Sequence, residues 1–505
     1  MKLSHWSYLM MSLALHLAVQ GQVVTFDTVQ FNPVNSFLLA TSVFETDSGY
    51  LAFGTGGDGT GTVQDQRSFL FDQDGGLQQV LTFGSHRLTD SGAFGPVAKS
   101  AMGGYVSGVV DFGNGISIDS LYLFRYDAQG DTIWTRYLSA DTTLAIRKCI
   151  ETANGDIVMV GFHYPPSGAF MFRVTSEGDS IRFVNFGQPA FYPMSVVEDE
   201  DGNLLMAGFT DTSLPQFQFR SYLLKCTPAG EVIWWRARPR ISGYNGAVYS
   251  SDGGVLAYGT FYGVDDDLPY VFLVKYNTSG DEEWVQDDII AADSELRDAT
   301  FTNGFQQPDG SYIFCGVIRN TALNLFDKGM LYKFDEEGNE TWSRFYSHYS
   351  GIPVGYPQVF YDVKPTSDGG FILTGETNGP APPNSQRLWL VKLDSMGCLV
   401  PGCHTVGVQE FESRLQSALQ LSPNPANERV QVSLALPEGY RLEGSVQALL
   451  LDAQGKEVLR EQVSTNTTEL RGQLDVSGLS PGLYYLHLRD AAKWLAGGKV
   501  VVSAP

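Results

Sequence analysis

DGGFILTG, at residues 368–375, is a turn of Asp and Gly followed by a short apolar strand that ends in glycine. The phrase occurs seven times between residues 44 and 375, and its copies lie 47 to 59 residues apart. They end at Gly54, Gly108, Gly161, Gly208, Gly259, Gly316 and Gly375. A strand-and-turn repeat of roughly this length is typical of β-propeller blades. We therefore predict an all-β fold made of repeated units.

A second hairpin phrase follows six of the copies, as in LFRYDAQGDTIW at residues 123–134. A basic residue stands five positions before each turn glycine: Arg125, Arg173, Lys225, Lys275, Lys333 and Lys392. A tryptophan follows the glycine by four positions in four copies: Trp134, Trp234, Trp284 and Trp342. Both sets recur beside core positions, so we interpret them as scaffold, with the basic residues held by blade carboxylates or carbonyls. A binding stripe is the alternative interpretation of the basic set.

Each repeat supplies four strands, but the seventh stops after its third, where Gly397 runs into Cys398. An unmatched strand, VVTFDTV at residues 23–29, begins the chain beyond its leader and is predicted to complete the seventh blade. Ring closure of this kind removes the free sheet edges. The prediction is a seven-bladed β-propeller over residues 22–403, closed by an N-terminal strand, with six or eight blades as alternatives.

The composition restricts the class of protein. The 505 residues include 56 acidic and 33 basic side chains, a net charge of −23, which argues against nucleic-acid binding. Residues 1–21 have the pattern of a secretory signal peptide, and no other segment is long and apolar enough to span a bilayer. Five cysteines leave at least one unpaired. Cys398 and Cys403 are the predicted disulfide, and the pairing of Cys149, Cys226 and Cys315 is left open.

The long loops between second and third strands and between successive units share one rim, where a propeller carries its function. Aromatic and histidine side chains there are the candidate ligand-binding residues: His86, His163, Tyr192, Tyr244, Tyr262, His348 and Tyr356. No catalytic motif and no metal-binding motif is present, so we expect no cofactor. The acidic run at residues 265–267 would suit calcium, although a solvated loop is the simpler interpretation.

The sequence changes character after residue 403. Residues 404–418 form a polar linker, and residues 419–505 alternate strands with Gly and Pro turns, which predicts a small β-sandwich. SPNPA at 422–426, DAQGK at 452–456, LSPGLY at 479–484 and KVVV at 499–502 resemble the type A sorting domain of the bacterial type IX secretion system. The matching positions are Pro423, Asn424, Pro425, Gly455, Pro481, Gly482, Tyr484 and Lys499.

This resemblance implies export through the periplasm, the type IX secretion machinery as a partner, and a final location outside the cell or on its outer surface. The D-x-x-G-x-x-x-W phrase of the repeats also resembles quinoprotein-like propellers. The adjacent cysteines expected of the quinone-dependent dehydrogenases in that group are absent, so this second resemblance supports the blade geometry and no activity.

Three functions agree with these features. The favoured one is a monomeric binding or adhesion module that recognises a glycan or a protein through the long-loop rim. A polysaccharide- or peptide-cleaving enzyme on the same rim is an alternative, because paired carboxylates need no local motif. A structural envelope protein is the third.

Overall fold

The structure is a computed structural model that describes residues 24–30, 37–57, 64–83, 88–89, 97–111, 120–139, 144–163, 168–187, 191–212, 218–262, 269–287, 289, 298–320, 325–349, 357–379, 385–408, 410–437, 440–442, 444–466, 468–491 and 493–504. The predicted leader at residues 1–21 and the acidic run at 265–267 lie outside these ranges. Among the described residues, no helix has the length and apolar character needed to cross a membrane.

The part of the chain before Cys398 is built from β-strands alone in the described ranges. Their bounds are β1 Phe26–Gln30, β2 Phe37–Thr46, β3 Gly49–Gly57, β4 Gln64–Asp72, β5 Leu77–Phe83, β6 Leu88–Thr89, β7 Val97–Lys99, β8 Tyr105–Asp111, β9 Ser120–Tyr126, β10 Thr132–Ser139, β11 Leu144–Glu151, β12 Ile157–His163, β13 Ala169–Val174, β14 Ser180–Asn185, β15 Phe191–Glu198, β16 Leu204–Thr212, β17 Gln218–Cys226, β18 Val232–Tyr249, β19 Val255–Tyr262, β20 Pro269–Tyr276, β21 Glu282–Gln286, β22 Asp298–Gln306, β23 Tyr312–Asn320, β24 Leu325–Phe334, β25 Glu340–Ser347, β26 Gln358–Pro365, β27 Phe371–Gly379 and β28 Ser385–Leu393.

Neighbouring strands pair antiparallel in units of four that follow the chain, such as β2–β3–β4–β5 and β11–β12–β13–β14. Strand β18 is long enough to end one unit and begin the next, and β6 and β7 both pair with β8. Apolar clusters join each unit to the next along the chain. The last unit packs on the first, with Leu388 and Leu390 against Ala40 and Phe69. Four-stranded units packed face to face around a closed circuit make a β-propeller.

The first strand of the described residues completes the last unit. β1 pairs antiparallel with β28, and Phe26 lies opposite Lys392. In four other units the residue at this position is the repeated tryptophan opposite the repeated basic residue, as with Trp234 and Lys225. The order β1–β28–β27–β26 therefore places β1 as the outer strand of that unit.

The closing glycine of the repeat has a steric cause. In six units the first strand carries a β-bulge, and the glycine of the second strand pairs with the residue just before the bulged one. A Cβ at these glycines would lie only 1.9 to 2.1 Å from a backbone carbonyl oxygen of the first strand. No side chain fits at that distance, so only glycine permits the bulge. The six are Gly54, Gly161, Gly208, Gly259, Gly316 and Gly375.

The basic residues of the third strands form ion pairs within the scaffold. Five of the six bind the aspartate in the turn between the first and second strands of their own unit, as in Lys275 Nζ–Asp252 Oδ2 at 2.6 Å and Lys392 Nζ–Asp368 Oδ2 at 2.8 Å. The other pairs are Arg173–Asp156, Lys225–Asp199 and Lys333–Asp309, whereas Arg125 reaches Ser100 and Glu151. The side chains are engaged by the turns, in agreement with the scaffold interpretation.

The repeated tryptophans hold adjacent units together. Each ring packs against the glycine in the last hairpin turn of the following unit, as Trp234 does at Gly280. In three of the four cases an arginine two residues later lies over the same ring, as in Arg236 Cζ, 5.3 Å from the ring centroid of Trp234. Arg236 Nε also donates to the Gly280 carbonyl at 2.8 Å. Phe26 packs on Gly75 in the same way, from the last unit to the first.

A buried carboxylate ties three first strands together. Asp362 of β26 is 1 % exposed and accepts hydrogen bonds from the Val43 amide at 2.9 Å, from Asn303 Nδ2 and from Lys364 Nζ at 2.6 Å. These donors lie in β2, β22 and β26. Burial, together with the charge of Lys364, lowers the pKa of Lys148 in β11 to about 8. The first strands of distant units therefore face one another.

The C-terminal region forms a two-sheet sandwich. Its elements are η1 Cys403–Val406, β29 Glu410–Glu412, η2 Ser413–Ala418, β30 Leu419–Ser422, β31 Arg429–Ala435, β32 Val446–Leu451, β33 Glu457–Gln462, β34 Ser464–Thr465, β35 Glu469–Asp475, β36 Gly482–Asp490 and β37 Lys493–Val502. One sheet has the order β30–β31–β35–β34, and the other contains β37–β36–β32–β33. Apolar side chains of both sheets share one core.

The segment that joins the two regions is ordered. A disulfide connects Cys398 and Cys403, whose Cα atoms are 5.6 Å apart, while Cys149, Cys226 and Cys315 are free thiols in the core. The predicted linker at residues 404–418 contains part of η1, all of β29 and η2, and Phe411 in it is 2 % exposed. It packs into a cluster with both regions.

Replacement of Gly375 by Ala tests the steric origin of the repeat. The new Cβ would lie 1.9 Å from the Val359 carbonyl oxygen, so we expect a loss of about 3 kcal/mol in the free energy of unfolding. Gly243→Ala is the control, because its Cβ would lie at an ordinary 3.4 Å from the Phe209 side chain. Urea titrations of both variants measure the difference, and equal losses would contradict the bulge argument.

Candidate functional site

Three of the predicted rim residues lie in packed surroundings. His163 is 9 % exposed, and its ring meets Phe170 edge to face at 5.7 Å. Tyr192 is half-buried and stacks on Phe209 at 5.1 Å. Tyr244 is 1 % exposed, and its hydroxyl lies 2.6 Å from that of Tyr276. Burial raises the pKa of Tyr244 well above its usual value, as expected for a core phenol. These three positions are on β12, β15 and β18.

The remaining rim predictions have different outcomes. His86 and Tyr356 lie outside the described residues. Tyr262 is the last residue of β19, opposite Pro269. His348 follows β25 directly, and its Nδ1 lies 2.7 Å from Asp27 Oδ1. His348 is therefore the predicted residue that the structure places in a polar cluster.

The centre of that region is Glu376, which the sequence analysis did not select. Glu376 follows the closing glycine of the last repeat. The corresponding residues elsewhere are Thr55, Val109, Phe162, Phe209, Thr260 and Val317. Glu376 is the one acid in this series, and it is only 4 % exposed. The departure from an otherwise uncharged repeat position is the sequence signal that identifies it.

Glu376 is held by two donors from the strands on either side of β27. The Tyr361 hydroxyl donates to Oε1 at 2.6 Å, and Gln386 Nε2 donates to Oε2 at 2.7 Å. Tyr361 is the bulged residue of β26. Burial raises the pKa of Glu376 to about 6, although both hydrogen bonds favour the ionised form. The carboxyl group therefore changes charge close to neutral pH.

A second carboxylate lies near enough to act on the first. The charge of Asp327 contributes to the raised pKa of Glu376, after burial, which is the larger effect. Asp327 Oδ1 accepts from Arg319 Nε at 3.1 Å, and the Arg319 side chain is 47 % exposed. The region thus contains two carboxylates in unlike surroundings, one buried and one paired with an arginine at the surface.

Gln358 fixes the geometry beside this pair. Its Oε1 accepts from the amides of His348 at 2.7 Å and Tyr349 at 3.1 Å, and its Nε2 donates to the Tyr349 carbonyl at 3.0 Å. Arg387 donates to the Tyr349 hydroxyl, and its Cζ lies 5.4 Å from the ring centroid of Tyr349. The chain after β25 is therefore held against β26 and β28. We call Glu376, Tyr361, Gln386, Gln358 and Tyr349 the rim cluster.

Two acceptor atoms near the rim cluster are buried without a hydrogen-bond donor among the described residues. They are Asp27 Oδ2 and Asn378 Oδ1. The other oxygen of Asp27 is used by His348 and by Trp389 Nε1 at 3.1 Å. A buried acceptor without a donor is costly, so each atom calls for a water molecule or a hydroxyl or amide group of a ligand.

In the C-terminal sandwich, several of the predicted motif residues stabilise the fold. Asn424 Oδ1 accepts from the Val501 amide at 2.8 Å, and Asn424 Nδ2 donates to the Lys499 carbonyl at 2.7 Å. The stretch around Pro423 and Pro425 thereby clamps β37 through the side chain of Asn424. The Tyr484 hydroxyl donates to the Ser480 carbonyl at 2.8 Å, across the turn that contains Pro481 and Gly482. Gly455 has φ +78° in the turn before β33, a conformation that favours glycine.

Residues 420–503 match the secretion system C-terminal sorting domain. The sandwich is therefore a sorting domain, and a domain of this kind implies the type IX secretion machinery as its partner. It indicates that the chain is secreted or attached to the outer cell surface. No curated protein matches the chain.

Solved structures similar to the chain include propellers. A protein of unknown function from Bacteroides caccae is 12 % identical over 55 % of this chain and 89 % of its own, with a TM-score of 0.36. The β-propeller domain of the Trilobed protease from Pyrococcus furiosus is 10 % identical over 72 % and 94 %, with a TM-score of 0.42. The Pan2 WD40 domain of Neurospora crassa is 10 % identical over 70 % and 89 %, with a TM-score of 0.40. All three scores lie below 0.5, so the fold assignment rests on the strand pairing and packing.

The raised pKa of Glu376 predicts a pH-dependent cost in stability. The folded protein favours the protonated acid more than the unfolded chain does. The stabilisation that results is fully present below pH 4.5 and is lost as pH rises through about 6. We expect Glu376→Gln to raise the free energy of unfolding by about 2 kcal/mol at pH 7.5 and to leave it unchanged at pH 4. Glu457→Gln is the control, since a hydrogen bond from Arg460 lowers the pKa of Glu457. Parallel pH profiles for Glu376→Gln and the unmodified protein would contradict the assignment.

Proposed function

We propose that the chain is an exported binding or adhesion module whose propeller recognises a glycan or a protein through the rim cluster. The observation that carries the proposal is the pair of buried acceptors, Asp27 Oδ2 and Asn378 Oδ1, beside side chains that are already fixed by hydrogen bonds. Hydroxyl and amide groups of a glycan or a peptide are the donors that such atoms require. Side chains fixed before binding lose little entropy when the ligand arrives.

The same proposal includes the size and limits of the propeller. We infer seven blades over residues 22–403, followed by a linker at 404–418 and the sorting domain at 419–505. The register of β1 on β28 supports this count, because Phe26 occupies the position of the repeated tryptophan and packs on Gly75 of the first unit. The hydrogen bonds of Asp362 to Val43 and Asn303 support closure between the last, first and sixth blades.

A glycan- or peptide-cleaving enzyme is the second candidate, and Glu376 with Asp327 is the observation that favours it. An acid with a raised pKa and a second carboxylate near it is the pairing used in glycoside hydrolysis. In that function Glu376 would donate the proton to the leaving group, and Asp327 would be the second carboxylate. Binding remains the favoured function because both oxygens of Glu376 are occupied by Tyr361 and Gln386.

Binding is tested with the full chain on a glycan array and in pull-downs from extracellular material. We expect a ligand whose affinity falls at least tenfold in Asn378→Ala, because this change removes a buried acceptor at the rim. Asn154→Ala is the matched control, since Asn154 is exposed in the turn between β11 and β12, at the opposite rim. Equal affinity for both variants would contradict a site at the rim cluster.

Turnover assays on polysaccharide and peptide libraries distinguish the second candidate. If the chain is an enzyme, activity disappears in both Glu376→Gln and Asp327→Asn, and it falls as pH rises through the pKa of the proton donor Glu376, about 6. Turnover that depends on both carboxylates would replace the binding proposal. Activity that survives both changes would exclude this pair from catalysis.

A further inference from the structure

Strand β29 connects the propeller to the sorting domain as a shared strand. Glu410–Glu412 pairs parallel with β25 of the propeller, and Phe411 lies opposite Tyr346. On its other side it pairs parallel with β37 of the sorting domain, where Phe411 lies opposite Trp494. The two regions therefore share one continuous hydrogen-bonded sheet of nine strands.

Phe411 is the apolar centre of this junction. It is 2 % exposed, its ring stacks on Tyr346 at 5.2 Å and 13°, and it meets Trp494 at 5.7 Å. Glu410 adds an ion pair, with Oε2 2.8 Å from Lys328 Nζ. A buried aromatic ring between two others is the arrangement of a binding hot spot rather than of a flexible tether.

A second line of contacts runs along the disulfide-bonded segment that follows the last blade. Arg489 of β36 donates to the Val406 carbonyl, and His487 Nε2 lies 3.0 Å from the Pro401 carbonyl oxygen. Val400 and Val406 share a buried cluster with Leu449 and Leu451 of the sorting domain. The contact surface thus extends from β25 along residues 399–406.

Strand β25 differs from the other outer strands in what covers it. On β14, Ile181 is 46 % exposed and Phe183 is 43 % exposed, so that outer edge faces solvent. On β25 every residue from Trp342 to Ser347 is buried. An outer edge that is covered by an added strand and buries its aromatic residues beneath it is the arrangement of strand addition.

We propose that β25 and residues 399–406 form a docking site for the sorting domain with its leading strand β29, and that this contact persists when the chain is cut. The disulfide between Cys398 and Cys403 lies wholly on the propeller side of β29, so it contributes no covalent link to the sorting domain. A cut before β29 leaves the sorting domain bound by strand pairing and by Phe411. Its release then requires the strand pairing of β29 with β25 to be broken.

The experiment cuts the full chain at one position. A recognition sequence for a site-specific protease is inserted after Gly407, an exposed residue between η1 and β29. After complete cleavage, gel filtration at about 1 µM is expected to give one peak that contains both pieces, since a hot-spot interface of this kind supports micromolar or tighter affinity. Separate peaks for the cut chain that carries no further substitution would overturn the proposal.

Phe411→Asp tests the named contact, because it places a charge between Tyr346 and Trp494. We expect the dissociation constant of the cut pieces to rise about a hundredfold, so that they elute separately. Phe183→Asp on the exposed edge of β14 is the matched control and is expected to co-elute. Co-elution of the Phe411→Asp pieces would overturn the proposal.

Hydrogen exchange separates loss of docking from loss of folding. In the cut but otherwise unmodified protein, the amides of β25 are expected to stay as protected as in the uncut chain. In cut Phe411→Asp they are expected to lose protection while those of β12 and β16 keep it. Loss of protection across all blades in Phe411→Asp, with intact docking of the unmodified pieces, would assign Phe411 to folding of the propeller and overturn its proposed place at the interface.

Discussion

The close approach between first and second strands governs the whole propeller. A carbonyl oxygen of the first strand lies too close to the glycine for any side chain to fit. An ideal Cβ would be 1.9 Å from this oxygen at Gly375 and 2.0 Å from it at Gly316. The β-bulge that this glycine permits turns the side chain of the next residue in the first strand toward neighbouring units. Asn303 and Asp362 both follow bulged residues, and their hydrogen bond joins two units. The repeated glycine thus affects contacts between units, because the bulge that it permits orients polar side chains at the inner face of the ring.

The repeated features were predictable from the sequence because their causes are local. The turn aspartates and the basic residues of the third strands recur at fixed offsets, and Lys275–Asp252 and Lys392–Asp368 meet within single units. The arginine that accompanies the tryptophan was missed, although it also recurs at a fixed offset, as Arg136, Arg236 and Arg344. Arg136 and Arg236 donate to turn carbonyls of the following unit, and a pattern within one repeat does not contain that information.

The rim cluster was less predictable for the same physical reason. Selecting aromatic and histidine residues by loop position found His348, whose amide donates to Gln358 of the cluster, but also Tyr244, which is 1 % exposed. Tyr244 lies within strand β18, so the long-loop criterion selected a core residue of a strand. Glu376 was visible as a departure from the repeat, yet its partners Tyr361, Gln386 and Asp327 come from three other strands. Such a cluster is fixed by the packing of adjacent units, which no local motif encodes.

The short turns between first and second strands lie at one rim of the propeller, and the long loops lie at the other. The pKa values of two turn aspartates are lowered at the short-turn rim, whereas that of Glu376 at the long-loop rim is raised. At the short-turn rim, burial tends to raise the pKa of Asp252 and Asp368, but hydrogen bonds from Lys275 and Lys392 outweigh it and lower the pKa. These ion pairs stabilise the fold above the usual aspartate range and lose that effect as pH falls through the lowered pKa. Glu376, at the long-loop rim, has a raised pKa and costs stability above about pH 6. The scaffold aspartates stabilise the fold, and this explains their presence. Glu376 lowers the free energy of unfolding at neutral pH. A group with that effect is better explained by a role in recognition or chemistry.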